Sequence, residues 1–122
     1  MKMPSYREFT AEELLKAYEE IVMKQNDCFL KEDLTTFNRQ YKIQEAIVDE
    51  LRSRPGDQRE LLAPFLDRRE PWMRISAAND TYSLNPERSR KYMQTVADYR
   101  FDPYRGEAAS ALGLWDRGHT PR

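Results

Sequence analysis

Residues 55–85 read PGDQRELLAPFLDRREPWMRISAANDTYSLN and residues 86–116 read PERSRKYMQTVADYRFDPYRGEAASALGLWD; laid over one another at an offset of 31, they decide the fold. Pro55 meets Pro86, Arg59 meets Arg90, Asp67 meets Asp98 and Arg69 meets Arg100, and Arg74, Ala77 and Ala78 meet Arg105, Ala108 and Ala109. Shared composition would give roughly two identities in such a window, so the repeat is real. Apolar positions agree as well, Phe65 with Val96 and Leu84 with Trp115. A period of about 30 to 45 residues with two helices per unit marks a helical solenoid, where each pair buries one face by stacking on its neighbour.

The punctuation within each copy supports helix pairs. Asp57-Gln-Arg-Glu60 caps a helix with Leu61, Leu62, Phe65 and Leu66, and a turn from Arg68 to Pro71 precedes a second with Trp72, Ile75, Ala78 and Tyr82. Asn85 before Pro86 is an N-cap followed by proline at the first helical position. It opens a helix through Tyr92, Val96 and Tyr99, broken at Asp102-Pro103; the last helix runs from about Gly106 to Asp116 and ends on a Gly118 cap.

Upstream the pattern changes. No proline or glycine occurs from Ser5 to Arg54, whereas all four glycines and six of the seven prolines lie from Pro55 onward, so the first half consists of long helices. Thr10-Ala-Glu-Glu13 is a capping box. Leu14, Tyr18, Ile21, Gln25 and Cys28 follow at helical spacing, widened by Ala17, Val22 and Phe29. Asp33 starts a second helix whose stripe is Phe37, Tyr41, Gln44, Ile47, Val48 and Leu51. The break near Lys31 to Leu34 leaves room only for a tight antiparallel connection.

The expectation is therefore an all-α protein, an α-α superhelix of about six helices. One domain spans residues 1–122, with an N-terminal hairpin at 10–54, a first helix pair at 55–85 and a second at 86–118. Twenty basic and 21 acidic side chains give a net charge of -1, so bulk electrostatics draw the chain to neither nucleic acid nor anionic lipid. Cys28 is the single cysteine, which excludes an intrachain disulfide and a Cys-rich metal site and points to a reducing, cytoplasmic compartment. Residues 1–8 carry no apolar run that could act as a signal segment, and no stretch approaches membrane-spanning length.

Leu61-Leu-Ala-Pro-Phe-Leu-Asp67, then Pro71-Trp-Met-Arg74, Ala77-Ala78 and Leu84 together resemble a HEAT repeat. Asn38-Arg39, the run Asp49-Glu-Leu-Arg-Ser-Arg-Pro-Gly-Asp-Gln-Arg59, the Leu-Leu after it and the repeat itself resemble the bacterial family known as domain of unknown function 2019, over roughly residues 10 to 118. Met73 stands where valine is commoner, and Tyr104 precedes Arg105 in the second copy, which is the more degraded one. The resemblance implies a HEAT-like helical fold and assigns no activity.

Two groups of residues stand out. Arg74 and Arg105 open the second helix of each pair, near Asp67 and Asp98. Guanidinium forks there could grip phosphate or carboxylate, but the recurrence of Asp with Arg at one offset favours a structural ladder that pins each inter-helix turn. Tyr99, Phe101 and Tyr104, flanked by Arg100 and Arg105, cluster around Pro103 in the last connection, where no helical core explains all three, and form the candidate partner-binding site. Trp72 and Trp115 read as core. Cys28 reads as a buried thiol, and His119 lacks the neighbours of a metal ligand. Glu19, Glu20, Asp27, Glu32 and Asp33 give the first helix an acidic cast, a solvated face or a strip for a basic partner.

No phosphate-cradling glycine loop and no distinct carboxylate pair is present, so no enzyme is expected and no cofactor or metal. The expected function is a non-catalytic protein-interaction module, an adaptor or immunity-type binder, with another protein as partner and no membrane; the oligomeric state is left open. The alternative is a nucleic-acid-binding repeat protein using Arg59, Arg68, Arg69, Arg88, Arg90 and Lys91, which the near-zero net charge disfavours.

Overall fold

Caps and hydrophobic stripes place the helices close to where the sequence reading puts them. The computed structural model describes residues 5–122. Met1 to Pro4, on which the absence of a signal segment partly rests, lie outside the described residues. The described chain is all-helical: α1 Ala11–Leu30, α2 Leu34–Ser53, α3 Pro71–Asp80, α4 Pro86–Ala97 and α5 Tyr104–Asp116, with 3-10 helices at Tyr6–Glu8, Gln58–Asp67 and Tyr82–Leu84. Length alone suggests one domain. The contacts group the chain into two compact units that meet between Leu61 and Leu62, seven residues beyond the expected edge of the hairpin.

In the first unit, α1 begins on the expected capping box. The Glu13 amide donates to Thr10 Oγ1 (3.1 Å) and the Thr10 amide to the Glu13 carboxylate (2.8 Å), satisfying two of the four orphan N–H groups of the helix start. Asp33 caps α2 by accepting from the Thr36 amide at 3.2 Å. Only Lys31 to Asp33 separate the helices, so they pack antiparallel, burying Leu14, Tyr18, Ile21, Val22 and Gln25 from α1 and Gln44, Ile47, Val48 and Leu51 from α2. Each large apolar side chain so buried contributes about 1.5–3 kcal/mol. Arg54 ties the N-terminal turn to the end of α2: its guanidinium reaches Glu50 at 2.9 Å and donates to the carbonyls of Phe9 (2.6 Å) and Tyr6 (3.3 Å). Cys28 is half-buried rather than buried, because it sits one turn beyond Gln25, where the hairpin core thins toward its closed end.

The segment Gln58–Asp67, expected as a helix, is a ten-residue 3-10 helix. Pro64 lies in its middle, and its ring would crowd the Glu60 carbonyl in an α-helical turn, which favours the tighter i+3 pattern.

In the second unit α4 packs against both α3 and α5. Its core comprises Leu62, Leu66, Trp72, Met73, Ile75, Ala77, Ala78, Tyr82, Met93, Val96, Ala108 and Trp115. Positions 31 apart share burial at Leu62 and Met93 and at Ala77 and Ala108, but Ala109, the counterpart of buried Ala78, is exposed. Thr81 donates to the Ala77 carbonyl (2.7 Å) and lies 3.4 Å from the Ser89 hydroxyl, so both buried hydroxyls find partners. Asn85 caps α4 through the Arg88 amide, as its position before Pro86 predicts. At the end of α5, Gly118 takes φ +89 while its amide reaches the Trp115 carbonyl and that of His119 reaches Leu114, a complete Schellman motif.

Candidate functional site

The connection between α4 and α5 begins where α4 ends at Ala97, with Asp98 as its C-cap and the Gln94 side chain donating to the Asp98 carboxylate at 2.9 Å. The Asp102–Pro103 peptide is cis. α5 starts at Tyr104, two residues earlier than expected, because Pro103 already carries helical φ and its carbonyl accepts the Glu107 amide. Tyr104 and Arg105 thus belong to the first turn of α5 rather than to the loop.

This splits the predicted cluster. Phe101 is 73% exposed, an aromatic ring held in water at the tip of the connection. Arg100 and Pro103 beside it are exposed, whereas Tyr99 and Tyr104 are half-buried and sit against their own unit. Arg105 is exposed and pairs with Asp102 at 3.2 Å. Phe101 with Arg100 is therefore the accessible part, and the two tyrosines form its base.

The ladder of Asp67, Arg74, Asp98 and Arg105 is built differently from the expectation. Asp67 accepts from the Tyr92 hydroxyl on α4 at 2.7 Å, and Arg74 donates through Nε to the Arg68 carbonyl at 2.5 Å. Asp98 takes Gln94 and Arg105 takes Asp102, so neither expected Asp–Arg pair forms. The physical reason is that α4 presents Tyr92 to the end of the 3-10 segment, while Arg74, on the first turn of α3, lies beside the last carbonyls of the preceding turn. The bond to Asp67 raises the Tyr92 phenol above its ordinary pKa, because ionising it would set two anions together.

The basic set of the alternative reading is largely engaged. Arg59 is buried, gripped by both oxygens of Asp57 at 2.8 and 2.6 Å. That fork holds the Asp57 carboxyl below the usual range, and it anchors a residue whose φ of +52 is uncommon for any side chain but Gly, Asn or Asp. Arg68 pairs with Glu70 and Arg90 with Asp116, the Arg90 guanidinium also lying 5.9 Å from the Trp115 ring centroid. Arg69 and Lys91 are exposed and Arg88 half-buried. Trp72 and Trp115 are buried, and His119 is exposed. Of the acidic residues, Glu20, Asp27, Glu32 and Asp33 are exposed and Glu19 half-buried. Among the described residues no group of three or more His, Cys, Asp or Glu side chains could hold a metal ion, and no helix is long and apolar enough to cross a membrane.

Sequence reasoning missed the Asp57–Arg59 fork, the Arg54 clamp and the Tyr92–Asp67 bond. The first carries a local signal, acid and Arg two residues apart after a glycine. The other two join residues 45 and 25 positions apart and leave none.

Comparison with known proteins adds a family and a fold. A family model described as a domain of unknown function (DUF2019) matches residues 12–116. The crystal structure of the protein RPA1889 from Rhodopseudomonas palustris CGA009 is similar throughout, with a TM-score of 0.89, 26% sequence identity and 99% of each chain covered. No curated protein matches the chain.

Proposed function

We propose a function for this chain, which belongs to the domain of unknown function DUF2019 family: it is a non-catalytic protein-interaction module of the adaptor or immunity type, working in a reducing cytoplasm. The single observation that carries the reading is Phe101, 73% exposed at the tip of the last connection with exposed Arg100 beside it. An exposed phenylalanine offers apolar area for a partner to cover, and aromatic and Arg side chains are enriched at the energetic centres of protein interfaces. On this reading the two helix pairs of the second half are HEAT-like repeats that hold the connection in place, and Tyr99, Tyr104 and Arg105 shape its base. Nucleic acid is the lesser reading, because Arg59, Arg68 and Arg90 already hold carboxylates and Asp98, Asp102 and Glu107 would meet a phosphate backbone with like charge.

The test is capture of a partner from lysate with the full chain, followed by titration of the purified partner against wild type and Phe101→Ser. One stoichiometric protein whose Kd rises roughly 30-fold on the substitution, the cost of about 2 kcal/mol for a central contact, is the expected result. Because Phe101 is exposed, its replacement should leave the unfolding free energy within about 0.5 kcal/mol. Binding that ignores Phe101 would displace the site, and salt-sensitive affinity for nonspecific DNA would favour the lesser reading.

A further inference from the structure

We draw no further inference here: the strongest candidate, the half-buried cluster of Arg74 from the start of α3 with Arg88 and Tyr92 from α4, already holds a carboxylate in Asp67, which accepts from the Tyr92 hydroxyl, and nothing in the structure there points to a further ligand.

Discussion

Individual side chains in this protein take partners that local spacing alone does not select. Asp67 lies seven residues from Arg74, yet its carboxylate receives the Tyr92 hydroxyl at 2.7 Å while the Arg74 guanidinium caps a backbone carbonyl. A double-mutant cycle separates the two arrangements. Asp67→Ala and Tyr92→Phe should couple by about 0.5–1.5 kcal/mol, the net worth of a hydrogen bond, whereas Asp67→Ala and Arg74→Ala should add within about 0.5 kcal/mol. Coupling to Arg74 in place of Tyr92 would restore the ladder read from the sequence. An ultraviolet titration of the phenols offers a second check: Tyr6, raised by burial, and Tyr92 should ionise above the usual range, and Asp67→Asn should bring back Tyr92 alone. Since its folded pKa is raised, this tyrosine's contribution is complete below the unfolded pKa near 10 and is lost as pH rises through the folded value.

At the scale of elements, the starts and stops were legible because caps are local devices. Thr10, Asp33 and Asn85 each reach the amide three residues on, and Gly118 closes α5 in the left-handed conformation. Gly118→Ala should cost about 1 kcal/mol in unfolding free energy from φ strain alone, because a Cβ there meets no atom within 4 Å. A loss of several kcal/mol would mean that the end of α5 is packed. The Gln25–Gln44 bond crosses the hairpin core, and burial makes it asymmetric. Gln25→Leu alone should destabilise by about 1–3 kcal/mol by removing the donor to the buried Gln44 side-chain carbonyl oxygen, while Gln25→Leu with Gln44→Leu should recover most of the loss. Equal losses in the single and double variants would show that the pair acts through something other than its mutual bond. The 3-10 course of Gln58–Asp67 is not legible in the leucine stripe, which is equally apolar in either helix; Pro64 favours the tighter form because its ring would crowd the carbonyl four residues back.

For the molecule as a whole, three carboxylates set the acid limb of stability. Asp33 is held below its ordinary range by the bond from Thr36, Asp57 by the Arg59 fork and Glu70 by the Arg68 fork. Depressed folded values mean that the unfolded chain takes up these protons first. Stability is therefore complete above about pH 4 to 5 and declines as pH falls through the folded values. Melting followed by circular dichroism should show a helix-dominated spectrum, a flat midpoint from about pH 7 to 5 and a fall below about pH 4 that is shallower in Asp57→Asn. An acid limb unchanged in that variant would remove the fork as a contributor. The sequence by itself determined the helical class, the hairpin followed by shorter helices, and the burial of Trp72 and Trp115, because caps, periodicity, proline and glycine act within a turn or two of chain. Only the tertiary structure decided that Phe101 stands in water while Tyr99 and Tyr104 lie half-buried, that Asp67 belongs to Tyr92, and that Leu34, at the start of α2, is exposed. Those outcomes depend on which element arrives opposite a side chain, and that neighbour is set by packing across distances that no local pattern encodes.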